Sequence, residues 1–176
     1  MIFKEHRLKR LIFLSLMTSF AIALSFLDEQ IPLPLPVPGI KIGLANVIVM
    51  MTLYLDTASG AIWVSLCRVV LCSFLFSSFT GFLYALAGAM LSLIAMAICK
   101  KFFLGKTLWI TGVFGSLFHV SGQILIAALL LNTLSVLAYY PILIASALIT
   151  GTLTGICTMF FFKHFSKIIE KSSKTS

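Results

Sequence analysis

Six long apolar segments follow one another along this chain, and they constrain its fold more than any other feature. Crossing the hydrocarbon core of a bilayer, about 30 Å, takes about 20 helical residues, and a helix satisfies its own backbone there. The mean hydropathy of +1.12 lies outside the range of soluble domains. We therefore predict an all-α integral membrane protein, one transmembrane domain over residues 1–176. Its six spans lie at about 11–27, 40–55, 58–76, 80–99, 107–131 and 138–162.

The positions of the basic residues support this even number of spans. If the N-terminus is inside, six crossings place residues 4–10, the turn at 100–106 and the basic tail on the cytoplasmic side. Those three regions hold eleven of the thirteen Lys and Arg residues, as the positive-inside rule requires. Without the short second span, the turn and the tail would lie outside. We therefore predict a multi-pass protein of the plasma membrane with both termini cytoplasmic.

A proline-rich stretch, PLPLPVPG, separates the first two apolar segments. Alternating prolines fix φ and remove backbone donors, so this stretch cannot be helical. Non-helical backbone must lie outside the hydrocarbon or line a cavity. We predict an extracellular loop over residues 28–39, which has little conformational entropy to lose when it becomes ordered.

The few acidic residues argue against an enzyme. All five are predicted in loops, helix ends or the tail, and only two are adjacent, whereas prenyl-transfer synthases hold Mg²⁺ on closely spaced aspartates. The sequence contains no P-loop, and the intramembrane histidine has no acid near it in sequence to complete a triad. The four cysteines fall in apolar spans without C-x-x-C spacing. We predict no catalytic residues, no metal site and no cofactor in this chain.

Arg68 lies in the middle of the third predicted span. A charged side chain there costs about 2.5–3.5 kcal/mol or more unless it faces a partner or water. No acid is predicted at comparable depth, which favours recognition of an anion or a carbonyl group by the guanidinium. The alternatives are a structural ion pair and a side chain that snorkels to the interface.

The remaining polar side chains of the spans form a second candidate group. His119 and Gln123 are four residues apart and share a helix face, with Ser116 one turn earlier. Lys41 and Asn46 follow the prolines into the second span. In lipid each of these groups needs an internal partner, either a neighbouring helix or a ligand. We therefore list Lys41, Asn46, Arg68, His119 and Gln123 as candidate substrate-binding residues.

Small residues recur every four positions on the first helix. Ser15, Ser19 and Ala23 form a small-xxx-small face, which lets another helix approach closely. The other helix lies either within the bundle or in a partner protein, and the sequence leaves both possibilities open.

Taken together, these features resemble a known group, the substrate-binding S components of energy-coupling factor (ECF) transporters. More narrowly, the chain resembles the family known both as Gx transporter and as heptaprenyl diphosphate synthase component I. The resemblance spans essentially the whole chain. It is carried by the six-span length, the small-residue first helix, the loop PLPVPGIKIGLANV and FHVSGQ in the fifth span.

The resemblance implies a function and a set of partners. The chain would capture a vitamin-like, isoprenoid or aromatic small molecule from outside, working with a transmembrane coupling subunit and two cytoplasmic ATPases. Ser15, Ser19 and Ala23 would then be the docking face, and residues 28–42 the lid. The family name implies an alternative, a non-catalytic membrane accessory subunit of a polyprenyl diphosphate synthase.

Overall fold

The computed structural model describes residues 7–31, 43–103 and 108–173, and these residues fold into helices joined by short turns. A 3-10 helix, Leu134–Tyr139, leads into the last long helix. The α-helices of the described ranges are α1 (Arg7–Gln30), α2 (Asn46–Leu55), α3 (Ala58–Phe76), α4 (Phe79–Phe103), α5 (Leu108–Leu131) and α6 (Tyr140–Ser173). The predicted all-α class is confirmed.

Helices α1, α3, α4, α5 and α6 are each long and apolar enough to cross a membrane. Their outward faces carry large hydrophobic side chains, as a lipid-facing surface requires, for example Phe74 and Phe160. The chain is therefore a multi-pass membrane protein. The predicted boundary of the third span, 58–76, coincides with α3.

Helix α2 is shorter than the predicted second span of 40–55. Among the described residues it begins only at Asn46, and its ten residues rise about 15 Å, half the hydrocarbon thickness. It is surrounded by the other helices, and most of its side chains are buried. Because it lies inside the bundle, the non-helical backbone at Gly43–Ala45 is shielded from lipid by protein. The second of the six predicted spans is thus a short buried helix in the described part of the chain.

The predicted loop over residues 28–39 also needs correction at its start. Residues 28–30 belong to the last turn of α1, and Asp28 is buried at 4% exposure. Its carboxylate accepts the backbone N–H groups of Gly43 (2.7 Å) and Leu44 (3.2 Å), so it joins the end of α1 to the start of α2. The rest of the predicted loop, residues 32–39, lies outside the described residues.

Several helix ends meet at one end of the bundle, here called the basic end and defined by Arg10 and Lys100. Arg10 on α1 donates from Nε to both carboxylate oxygens of Asp56, at 3.1 and 3.0 Å, in the turn between α2 and α3. Lys100, near the end of α4, donates to the carbonyl oxygen of Leu53 at 2.5 Å. The start of α1, the end of α2, the start of α3 and the end of α4 therefore share this end.

Glycines bring α5 and α6 into close contact. A Cβ on Gly112 would meet the backbone of Gly151 and Gly155, and a Cβ on Gly155 would meet the backbone of Trp109. Small residues at such positions allow backbones to approach closely in membranes. This contact fixes α5, the helix that carries His119.

Candidate functional site

A small buried pocket lies between α1, α3, α4 and α5, inside the bundle. Its water-accessible volume is about 20 Å³, enough for about one water molecule. It is unusual for its polarity, since most of the surrounding core is aliphatic. The polar side chains that line it are Ser25, Asp28, Arg68, Ser73, His119 and Gln123.

Arg68 enters this pocket from α3 and is 6% exposed. Its Nη1 donates to the hydroxyl of Ser25 on α1 at 3.3 Å, a long hydrogen bond. Its Nε and Nη2 are buried and have no hydrogen-bond partner among the described residues. Leaving such donors unsatisfied costs about 1–3 kcal/mol or more for a charged group. The side chain of Arg68 therefore lies inside the bundle, whereas a snorkelling arginine would reach the membrane surface.

The expectation that Arg68 has no acid at its depth is wrong. Asp28, at the end of α1, lines the same pocket and is as deeply buried. The sequence carries a signal for this, because the buried face of α1 runs at helical spacing through Met17, Ala21 and Ser25 to Asp28. Asp28 therefore continues an inward face, whereas its place beside the prolines suggested a loop.

His119 and Gln123 meet as their spacing predicts. Both are almost fully buried on α5, and Gln123 Nε2 lies 3.2 Å from His119 Nε2. The imidazole is held between two glycines, Gly43 and Gly88. A Cβ on Gly43 would come within 2.9 Å of His119 Cδ2, and one on Gly88 within 2.9 Å of His119 Nδ1. The two missing side chains leave room for the ring.

Asn46 reaches the same place from the start of α2. It is 1% exposed, and its Nδ2 lies 3.0 Å from the position a Gly43 Cβ would take, beside His119. That Nδ2 has no hydrogen-bond partner among the described residues. Gly43 has a positive φ of 91°, a conformation that favours glycine. The structure therefore brings Arg68, His119 and Gln123 together around the pocket and places Asn46 near His119, while Lys41 lies outside the described residues.

The small-residue face of α1 lies elsewhere, on the outside of the bundle. Ser15, Ser19 and Ala23 are exposed. Ser15 and Ser19 line a groove of about 690 Å³ between α1 and α3, which begins at Arg10 on the basic end. This groove is much larger than the polar pocket, but it is open, and apolar side chains alternate with polar ones along it. No helix of this chain fills it in the described structure.

The fold is similar to that of a solved membrane protein. The S component of a bacterial ECF transporter superimposes with a TM-score of 0.58 over 92% of this chain and 96% of that one, at 20% identity. At this identity the likeness concerns the fold. No curated protein is significantly similar in sequence.

A family model matches most of the sequence. The model described as heptaprenyl diphosphate synthase component I covers residues 17–161, which include Asn46, Arg68, His119 and Gln123 and part of the small-residue face. The resemblance seen in the sequence is thereby confirmed. This chain belongs to the heptaprenyl diphosphate synthase component I family.

Proposed function

We propose that this chain is the substrate-binding subunit of an ECF-type importer, and that it captures a vitamin-like, isoprenoid or aromatic small molecule from outside the cell. The observation that carries the proposal is the polar pocket around Arg68, enclosed by a bundle with the S-component fold. Buried ionisable residues within membrane helices are costly and mark ligand or ion sites. A pocket of this kind binds its substrate without needing catalytic groups.

The importer would sit in the plasma membrane with both termini cytoplasmic. The grouping of Arg10 and Lys100 at one end of the bundle supports that orientation, since positive charge is retained on the cytoplasmic side. The polar pocket then lies toward the opposite end, where Asp28 joins α1 to the start of α2. A ligand would reach it from outside past the proposed lid, which we take to begin after the end of α1 and to include Lys41.

Transport would depend on partners, because this chain has no P-loop. A transmembrane coupling subunit would dock on Ser15, Ser19 and Ala23, which are exposed and small enough for close helix packing. Two cytoplasmic ATPases would drive a tilt of the whole bundle, exposing the pocket inward.

Co-purification tests this proposal. The tagged full chain is expressed in its native host, extracted in mild detergent and analysed by native mass spectrometry. We expect the coupling subunit and ATPases in the complex, together with a retained small molecule. A chain that purifies with none of these would overturn the proposal.

The family description suggests an alternative function for this chain, that of a non-catalytic membrane accessory subunit of a polyprenyl diphosphate synthase. In that case the same purification would capture a soluble prenyl synthase, and adding the purified chain would change the activity of that enzyme.

A further inference from the structure

We propose that the groove between α1 and α3 binds an anionic phospholipid when the chain has no protein partner, with the lipid headgroup at the basic end and an acyl chain along the groove. This lipid site is separate from the polar pocket around Arg68. It does not rest on the proposed transport function, because it concerns the chain alone in a bilayer.

The two helices that form the groove run in the same direction. Arg10 on α1 donates to the hydroxyl of Ser59 at the start of α3, and Arg68, farther along α3, donates to Ser25, farther along α1. The groove therefore begins at the basic end and follows two membrane-spanning helices. A groove of this orientation is parallel to the acyl chains of the surrounding bilayer.

The length of the groove matches one leaflet. On α1 its lining extends from Arg7 to Ile22, a rise of about 22 Å at about 1.5 Å per residue. A bilayer with its headgroups is about 40–45 Å thick, so one leaflet takes about the same length. Beyond Ile22, Phe26 on α1 packs against Phe76 on α3 with ring centroids 5.1 Å apart. The two helices are therefore in contact past the apolar end of the groove.

Two arginines lie at the opposite end, where a headgroup would be. Arg7 lines the groove and is exposed. Arg10 also lines it, and its guanidinium is held in place because Nε donates to Asp56 and Nη2 donates to the hydroxyls of Thr57 and Ser59. Its Nη1 takes part in none of these hydrogen bonds. Guanidinium groups are well suited to binding a phosphate.

This end of the groove has a surplus of positive charge, however the nearby acids are paired. Residues 4–10 contain four Lys or Arg residues and one Glu, and Asp56 adds one negative charge, which leaves two positive charges. Each cation near a membrane surface favours an anionic lipid about fivefold, whereas a zwitterionic lipid brings no net charge. The charges therefore select an anionic headgroup.

The walls of the groove suit an acyl chain, although some of the lining residues are polar. The hydroxyls of Thr18 and Ser19 donate to the carbonyl oxygens of Leu14 and Ser15 in the preceding turn of α1, at 2.8 and 3.0 Å. They therefore need no hydrogen-bond partner from the groove. Trp63, which also lines it, is 64% exposed near the start of α3, and tryptophan is enriched at this depth in membranes.

The lipid site overlaps the face proposed for docking of the coupling subunit. Ser15 and Ser19 line the groove, so a bound lipid would have to leave before a helix of that subunit could pack against them. The lipid is thus the occupant of the free chain, and docking exchanges lipid for protein.

Brominated lipids test the proposal, because bromine quenches tryptophan fluorescence on contact. The chain has two tryptophans, and Trp109→Phe leaves Trp63 as the reporter. This full-length variant is reconstituted into phosphatidylcholine vesicles that contain brominated phosphatidylglycerol or, at the same mole fraction, brominated phosphatidylcholine. We expect the anionic lipid to bind at Trp63 about fivefold more tightly. Equal quenching by the two lipids would overturn the proposal. So would protection of Trp63 from both lipids, as a second copy of the chain in the groove would give.

Two charge variants separate a lipid site from the general attraction of a basic surface. Arg7→Gln removes the exposed cation that lines the groove, and we expect the preference at Trp63 to fall about fivefold. Lys9→Gln removes the same charge from a different side of α1, outside the groove, and should change the preference less than about twofold. Equal effects of the two variants would contradict a site in the groove.

The second tryptophan provides a control for position. Trp63→Phe leaves Trp109, which is exposed near the start of α5 and does not line the groove. We expect quenching of Trp109 to be unaffected by Arg7→Gln, and a response as large as that of Trp63 would overturn the proposal. Because these measurements use the chain without partners, a negative result leaves the transport function standing. Failure to recover the coupling subunit and the ATPases, in turn, leaves the lipid site standing.

Discussion

The carboxylate of Asp28 accepts the backbone N–H of Gly43 at 2.7 Å, and this contact joins the polar pocket to the start of the short helix α2. Gly43 packs in turn against the imidazole of His119. Asp28, in the last turn of α1, therefore positions the backbone that leads into α2.

Gly43→Ala should destabilise the protein. The residue has a φ of 91°, and a Cβ there would come within 2.9 Å of His119 Cδ2, so we expect a loss of about 1–3 kcal/mol in the free energy of unfolding. Unfolding by SDS in mixed micelles measures it. Gly81→Ala is the control, since that glycine is helical and its Cβ would meet only the rotatable hydroxyl of Ser77. Equal stability of the two variants would contradict the role given to Gly43.

Arg68→Ala should abolish ligand binding while the detergent-purified protein stays folded. The variant removes all donors of the guanidinium, so we expect a loss of affinity of about a hundredfold or more for the retained molecule. Arg68→Lys should also bind weakly, because an ammonium lacks the paired N–H edge. Lys101→Ala, exposed at the basic end, serves as the control. Unchanged binding in Arg68→Ala would make this residue structural.

Ser19→Trp should block assembly with the coupling subunit. The exposed side chain of Ser19 lines the groove between α1 and α3. An indole at this position would prevent a helix of the coupling subunit from approaching closely. Co-purification of the tagged chain with the coupling subunit is the measurement. Phe20→Trp places the same indole on the adjacent exposed position and should assemble normally. Normal assembly of Ser19→Trp would rule out this docking face.

Arg10→Ala should loosen the basic end. It removes the ion pair with Asp56 and the hydrogen bond from Nη2 to the Thr57 hydroxyl at 2.9 Å, and it leaves a buried carboxylate without its cation. Because Arg10 is about one-third exposed, we expect a modest loss of about 1–2 kcal/mol, seen as a lower melting temperature. Lys9→Ala, exposed on the same helix, should leave the melting temperature unchanged. A loss of the same size in both variants would argue against a specific clamp.

Gly155→Leu should disrupt the contact between α5 and α6. A Cβ at this position already meets the backbone of Trp109, and backbone cannot move aside as a flexible side chain can. We expect a destabilisation of about 3 kcal/mol or more, again by SDS unfolding. Ala145→Leu adds side-chain volume at an exposed position of α6 and should be tolerated. If the two variants unfold alike, the close approach of α5 and α6 does not contribute to stability.

Much of the architecture and part of the site could be predicted from the sequence. Apolar length determines membrane helices because every backbone polar group must be satisfied within the segment, so the long helices α1, α3, α4, α5 and α6 were predictable. The i, i+4 spacing of His119 and Gln123 places them on one face, where the structure shows them in contact. Arg68 was identified as a candidate binding residue because an unpaired charge within a membrane span is costly.

Two features near the site could not be predicted because they depend on how the helices pack. The segment that contains α2 was predicted to be a membrane span because its residues are apolar. The same composition suits a short helix buried among other helices, and hydropathy cannot separate a span from such a helix. Asp28 looked like a loop residue because prolines follow it closely, yet the packing of α1 against α3 places it beside Arg68. Residue type and spacing along the chain are enough to identify the segments that are apolar enough to cross a membrane and the polar groups within them that need partners. Which of those groups share a pocket depends on helix packing, because contacts between distant segments have no periodic signal along the chain.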